Sequence, residues 1–123
     1  METDLKVTLL NQPGTLLRAS DALGRAGVNI DGACGYVAGG QGVYHVLVRD
    51  AERARRALID AGLEVHEERH VVAVPIENVP GSAAAVLRRI ADANVNIDLM
   101  YLTADGRLVL GGEDVPEITR ALG

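Results

Sequence analysis

The sequence of 123 residues is long enough for two small interdependent units of about 60 residues each. A net charge of −5, with no Phe or Trp, excludes nucleic acid as a direct partner, because its binding needs clustered basic and stacking aromatic side chains. One cysteine, Cys34, excludes an intrachain disulfide, and with an acidic start unlike a signal peptide it predicts a cytoplasmic protein. No apolar run reaches the roughly 20 residues that span a bilayer, so no membrane is expected as a partner.

Two sequence blocks occur twice at one spacing. Asn11-Gln12-Pro13-Gly14 recurs as Asn78-Val79-Pro80-Gly81, and Val28-Asn29-Ile30-Asp31 recurs as Val95-Asn96-Ile97-Asp98, in both cases at the same distance along the chain. Self-similarity at a fixed spacing indicates a duplicated supersecondary unit. The chain is therefore predicted to consist of unit 1, residues 1–69, and unit 2, residues 70–123.

Unit 1 is predicted to run strand, helix, strand, strand, helix, strand. Alternating apolar residues from Leu5 to Leu10 predict the first strand, and helical spacing from Leu16 to Leu23 predicts a helix that Gly27 ends. The second helix begins at Asp50, whose side chain suits an N-cap, and runs to about residue 61. The other predicted strands are residues 28–37, 43–48 and 63–68.

Unit 2 is predicted to repeat this order without the last strand. Its predicted elements are a strand at 71–77, a helix at 81–93, a hairpin of 95–103 and 107–110, and a final helix. Asp114 and Glu117 have capping-box spacing at the start of that final helix. Pro75 lacks the N–H that a central strand needs, so it belongs at a sheet edge or a bulge. Because the missing last strand leaves the first strand of unit 2 without one partner, that strand is predicted at a sheet edge.

The order of strand, Asn-x-Pro-Gly, helix and Val-Asn-Ile resembles the ACT domain, a small regulatory module, and the resemblance covers nearly the whole chain twice. It is closest to stand-alone tandem ACT proteins that carry no catalytic domain. The resemblance implies an α+β fold of two ferredoxin-like βαββαβ units, the second lacking its last strand. It also implies pairing of units and binding of a small amino acid at the interface between them.

Amino-acid-binding members of the family often contact the ligand through the Asn before Pro-Gly and the Asn of Val-Asn-Ile. Helix starts offer N–H groups and partial positive charge to a carboxylate, and glycine lets a ligand approach the backbone closely. The candidate ligand-binding residues are Asn11, Gly14, Thr15, Leu16, Asn29, Ile30, Asn78, Gly81, Ser82, Asn96 and Ile97.

Purely structural interpretations of these residues stay open at this point. Pro-Gly opens many helices as a simple turn, and Asn11 and Asn78 suit a helix N-cap or a turn. Asn29 and Asn96 follow a helix, where Asn often adopts the left-handed conformation. Leu9 and Ile76 stand where some family members carry a polar side chain, which leaves the identity of the ligand, and its presence, open.

The sequence gives little indication of a catalytic, metal-binding or phosphate-binding site. Cys34 is interpreted as a small core hydrophobe, and His45, His66 and His70 lack the spacing of metal ligands. No Ser, His and acid combination and no phosphate-binding Gly-rich loop stands out. We therefore expect no catalytic residue, no metal and no cofactor, and a protein that is not an enzyme.

The leading hypothesis is an amino-acid-binding regulatory or sensor protein, expected as a homodimer with a possible partner among the enzymes or regulators of amino-acid metabolism. A second hypothesis is a ligand-independent interaction module, or a detached regulatory subunit of such an enzyme, which Leu9 and Ile76 favour slightly. A third is a small dimeric α/β enzyme, against which the lack of an acid–base or nucleophile pair counts.

Overall fold

The computed structural model describes residues 2–123, which divide into two compact units, the first ending at Arg69 and the second starting at His70. Met1, with which the predicted first unit begins, lies outside the described residues. Both units run strand, helix, strand, strand, helix, and unit 1 adds a final strand.

Unit 1 is a four-stranded sheet with two helices packed on one face. Its elements are β1 (Thr3–Leu10), α1 (Thr15–Arg25), β2 (Gly32–Ala38), β3 (Gln41–Val48), α2 (Ala51–Asp60) and β4 (Glu64–His70). The strands lie in the order β2-β3-β1-β4. Both β1 and β2 pair with β3 in antiparallel register, so the first and third strands are central, as in a ferredoxin-like fold.

The core of unit 1 lies between this sheet and its helices. Side chains alternate across a strand, so every second residue of β1 and β3 faces the helices. The core residues are Leu5, Val7, Leu9, Ala19, Leu23, Val28, Tyr44, Val46, Val48, Ala54 and Leu58. Leu16 and Leu17 lie outside this core and are 51% and 71% exposed, because Ala19 and Leu23 occupy the face of α1 that meets the sheet.

Unit 2 is a smaller version of the same arrangement. Its elements are β5 (Val72–Pro75), α3 (Ser82–Asp92), β6 (Leu99–Leu102), β7 (Arg107–Gly111) and α4 (Val115–Ala121). The sheet order is β5-β7-β6, and the fully buried core is Ile90, Leu108, Leu110 and Ile118. Within residues 70–123 no strand follows α4. The predicted α+β fold of two ferredoxin-like units, the second without its last strand, is confirmed.

Pro75 ends β5, the outer strand of its sheet. It lies opposite Arg107 of β7, the neighbour of β5 in this sheet. A proline without an N–H is compatible with this edge position. The predicted edge placement of the first strand of unit 2 is confirmed.

The hairpin of unit 2 is shorter than that of unit 1. Gly32 pairs with Leu47, whereas its equivalent in the repeat, Leu99, pairs with Gly111, so the hairpin of unit 2 is three positions shorter. The shortening falls in the paired strands, which form four cross-strand pairs in unit 2 against seven in unit 1, whereas the turn between them is longer in unit 2. Everything before this turn keeps the spacing of the repeat.

Two strands begin four positions later than predicted, at Gly32 rather than 28 and at Leu99 rather than 95. The backbone N–H of Val28 donates to the carbonyl of Leu23 at 2.9 Å, and that of Val95 donates to Ile90 at 3.2 Å. These amides complete the end of the preceding helix. Their β-branched side chains therefore suggested a strand where the backbone closes a helix.

Helices α2 and α4 begin with an aspartate cap, as predicted. Asp50 Oδ1 accepts a hydrogen bond from the backbone N–H of Arg53 at 3.1 Å, and Asp114 Oδ1 accepts one from Glu117 at 3.1 Å. Each bond satisfies an N–H that has no partner inside the helix.

Replacement of Asp50 by alanine is expected to lower the free energy of unfolding by about 1 kcal/mol, because the cap acceptor is lost. Asp50→Asn is the matched control, since it keeps the acceptor and removes the charge. It should stay within a few tenths of a kcal/mol of the parent. Urea unfolding followed by circular dichroism measures both. Equal losses would assign the effect to the Asp50–Arg53 ion pair instead of the cap.

Candidate ligand-binding site

Helices α1 and α3 begin differently from α2 and α4. Their N-cap residues are Gly14 and Gly81, with φ of 88° and 89°. Among the residues that the structure describes, no side chain caps either helix. The amides of Leu16 and Ala83 likewise find no backbone acceptor within residues 2–123. The repeated Pro-Gly corners thus present open N–H groups and the positive end of a helix.

The N-cap interpretation of Asn11 and Asn78 is wrong, since glycine occupies the cap in both units. In unit 1 the side chain of Thr15 stabilises the Pro-Gly turn. The Thr15 hydroxyl donates to the backbone carbonyls of Leu10 at 2.8 Å and Gln12 at 3.1 Å. The hydroxyl of Thr15 therefore stabilises the turn, while the backbone of Thr15 lies at the start of α1.

A cavity of about 380 Å³, here the α1 cavity, opens at the start of α1. Its lining comes from the end of β1, the repeated corner and the start of α1 on one side, and from β2 and β3 on the other. The candidate residues that line it are Asn11, Gly14, Thr15 and Leu16. The structure thus brings four of the predicted residues of unit 1 to one concave surface, together with Gly35 and Tyr36, which the sequence did not single out.

The equivalent cavity of unit 2, here the α3 cavity, has a volume of about 450 Å³. Asn78 and Ser82 line it, whereas the third candidate, Gly81, lies beside it at the N-cap. Met100 and Leu102 form an apolar wall of the α3 cavity, and they are 50% and 58% exposed. The duplicated corner therefore borders a cavity in both units.

Asn29 lies in a different cavity, of about 300 Å³, lined by charged residues at the start of α2. Its side-chain amide donates to Asp31 Oδ1 at 2.6 Å, and Asp31 Oδ2 accepts from Arg49 Nε at 3.1 Å. Helix α1 has 11 residues, about 16 Å in length. Asn11 and Asn29 lie at its opposite ends, so within unit 1 they do not share one small ligand.

The left-handed interpretation of Asn29 and Asn96 is also wrong. The left-handed residue after α1 is Gly27, with φ of 74°, and the one after α3 is its equivalent Asn94, with φ of 59°. Asn96 is exposed. Ile30 and Ile97 are half-buried and pack against the cores of their units, so their side chains serve packing.

A polar cluster missed by the sequence analysis lies on the sheet face opposite α1. Asp4 Oδ2 and His45 Nδ1 are 2.8 Å apart, and these residues are 1% and 5% exposed. The ring of Tyr36 stacks on His45 with centroids 6.1 Å apart. The alternation of side chains in β1 is the sequence signal that could have located this cluster. Asp4 precedes the core residue Leu5, so it faces the opposite side of the sheet.

Cys34 lies opposite His45 on this same face and is half-buried, outside the apolar core of unit 1. The interpretation of Cys34 as a core hydrophobe is therefore wrong. Burial, and then the negative charge of Asp4, raise the pKa of the Cys34 thiol. A raised thiol pKa disfavours the thiolate, which is the nucleophilic form.

Within residues 2–123, no group of three or more His, Cys, Asp or Glu side chains is arranged to hold a metal ion. None of the helices described there is long and apolar enough to cross a membrane.

The architecture is thus a tandem pair of ferredoxin-like α+β units, each with an open helix start beside a cavity. Residues 2–121 match the family model described as "ACT domain pair". The chain belongs to this family. A comparison with curated proteins gave no match.

Several solved structures are similar to this chain. One, a protein from Bacteroides thetaiotaomicron, has 26% identity and a TM-score of 0.86, covering 98% of this chain and 85% of that one. The regulatory subunit of aspartate kinase from Thermus thermophilus has 20% identity and a TM-score of 0.72, with 98% and 89% covered. The corresponding subunit from Thermus flavus has 20% identity and a TM-score of 0.68, with 98% and 90% covered. At this identity, the likeness to the two subunits shows the fold.

Proposed function

We propose that this chain is a non-catalytic regulatory protein that binds a small amino acid at the starts of α1 and α3. The observation that supports the proposal most is the contrast among the four helices within residues 2–123. The two repeated helices begin at a left-handed glycine without a side-chain cap, beside a cavity. The other two helices are capped by aspartate.

The chemistry of a zwitterion fits these cavities. Its carboxylate accepts hydrogen bonds from the open N–H groups at the helix start, where the helix dipole favours negative charge. The carboxamide of Asn11 or Asn78 offers a donor and an acceptor for either end of the ligand. For a metabolite sensor, micromolar to millimolar affinity is expected, which is about −8 to −4 kcal/mol.

The regulatory part of the proposal extends to partners. Fold similarity to regulatory subunits of aspartate kinase supports a partner among the enzymes or regulators of amino-acid metabolism. A cytoplasmic homodimer is proposed with it. The expectation that the ligand lies where ACT units meet stays a prediction, and it would let Asn29 and Asn96 contribute to a ligand held by another unit.

Isothermal titration calorimetry with the common amino acids tests ligand binding. The double variant Asn11→Ala, Asn78→Ala is expected to bind about 10–100-fold more weakly, because each site loses a hydrogen bond to a charged ligand worth about 1.5–3 kcal/mol. Gln41→Ala, which removes a carboxamide outside both cavities, is the matched control and should bind like the parent. Absence of heat with every amino acid would contradict the proposal.

A ligand-independent interaction module is the alternative that a specific observation favours. Apolar side chains around the α1 cavity are exposed: Leu10 by 63%, Tyr36 by 49% and Val37 by 55%. Exposed apolar groups at one place are typical of protein contacts. Stable co-purification with an enzyme in the absence of amino acids, together with silent calorimetry, would select this alternative.

A further inference from the structure

The α1 and α3 cavities occupy equivalent places but differ in charge. Leu10 ends β1 and lines the α1 cavity, whereas its equivalent in the second copy of the repeat, Glu77, lines the α3 cavity. No charged residue is among the described residues that line the α1 cavity. Among those that line the α3 cavity, Glu77 is the single charged residue.

The cavities also differ in shape. Ala83 stands in unit 2 where unit 1 has Leu16, and Thr103 stands where unit 1 has Tyr36. Both exchanges remove side-chain volume, in keeping with about 450 Å³ in the α3 cavity against 380 Å³ in the α1 cavity. With Met100 in its wall, the α3 cavity has room for an extended aliphatic chain.

The carboxylate of Glu77 is available for a ligand. Glu77 is exposed, and the structure gives it no ion pair within residues 2–123. The guanidinium on the neighbouring strand, Arg107, pairs with Asp105 at 3.0 Å. The Thr103 hydroxyl, which donates to Asp105, and then Arg107 lower the pKa of Asp105, so that pair stays ionised at neutral pH.

We propose that Glu77 is a specificity-determining residue, and that the α3 cavity selects an amino acid with a cationic aliphatic side chain while the α1 cavity selects a neutral one. This inference rests on the proposed amino-acid binding. The apolar wall contacts the methylene chain, and the carboxylate of Glu77 pairs with the terminal ammonium. In the α1 cavity, Leu10 would leave that ammonium without a counter-charge.

Site-resolved titration of the full chain tests the proposal. L-lysine and L-norleucine are added separately to ¹⁵N-labelled protein, because norleucine has the same carbon chain and lacks the terminal ammonium. The amide signals of Leu16 and Ala83 report the two cavities. At Ala83, lysine is expected to bind about fivefold more tightly than norleucine at low ionic strength, as for an exposed ion pair. High salt should reduce this preference, and none is expected at Leu16.

Two variants make the assignment specific. Glu77→Gln should remove the preference for lysine and leave norleucine affinity unchanged, and Leu10→Glu should create the preference at the α1 cavity. Glu113→Gln is the matched control, because it removes the same charge from unit 2 outside the α3 cavity. It should leave both affinities unchanged.

Different failures separate this proposal from the one on which it rests. An equal loss of both ligands in Glu77→Gln would place the carboxylate on the shared α-ammonium and overturn the selectivity. Binding without any preference for lysine at Ala83, or shifts at Leu16 alone, would also overturn it and leave amino-acid binding intact. No shift at either amide with any amino acid would overturn both proposals.

Discussion

Leu23→Ala is expected to lower the free energy of unfolding by about 2–5 kcal/mol, because the side chain is fully buried between α1 and the sheet and its removal leaves a cavity. Leu17→Ala is the matched control on the same helix. Leu17 is 71% exposed, so its loss should change stability by about 0.5 kcal/mol or less. Urea unfolding followed by circular dichroism suits this chain, which has no Trp.

The equivalent change in unit 2, Ile90→Ala, removes the same side-chain volume. It should destabilise unit 2 more than Leu23→Ala destabilises unit 1. Unit 2 has four fully buried core residues, so losing one removes a large share of its core. A unit of this size has little stability in reserve. Hydrogen exchange by mass spectrometry should show loss of protection in β7 with protection kept in β3.

Similar small effects of Leu17→Ala and Leu23→Ala would contradict the assignment of the core.

Gly112→Ala is the second change with a large expected effect. A Cβ there would lie 2.7 Å from the backbone oxygen of Asn96 and 3.2 Å from Cδ1 of Ile118. The backbone at Asn96 must therefore shift, and we expect a loss of about 1–3 kcal/mol. Thermal unfolding measures the loss, and a shift of the Asn96 amide signal in NMR spectra would report the displaced segment.

Gly24→Ala is the control for Gly112→Ala, and the change that it is expected to cause in the free energy of unfolding has the opposite sign. Gly24 lies in α1, and a Cβ there would have no neighbour within 4 Å. Alanine costs less conformational entropy than glycine in a helix, so the variant should gain about 0.5 kcal/mol. Destabilisation by both alanines would show that the loss at Gly112 is not caused by the contact with Asn96.

Much of the fold follows from local signals in the sequence. Asp50 and Asp114 have the side chain that caps a helix, Gly27 has the freedom that ends one, and Pro75 is restricted to an edge. Each of these effects acts within a few residues and can therefore be recognised without the tertiary structure. Strand starts were less predictable, since Val28 and Val95 are β-branched yet their amides bond back to a helix.

The site was predictable only in part, because it depends on which residues share a surface. The repeat located Asn11 and Gly14, which do line one cavity. It also suggested Asn29, which the length of α1 places at the other end of the helix. The contact between Asp4 and His45 joins residues 41 apart in sequence, and only the register of β1 against β3 brings them together.

The difference in length between the two hairpins bears on how the two copies of the repeat can diverge around their cavities. The end of the hairpin that differs borders the α1 cavity at Val37 and Gly42, which belong to its strands, and the α3 cavity at Ala104 and Gly106, which belong to its turn. Insertions and deletions there reshape the mouth of a cavity while both helix starts and both cores keep their positions. Divergence of the two copies can therefore proceed at the rim, at little thermodynamic risk to the scaffold.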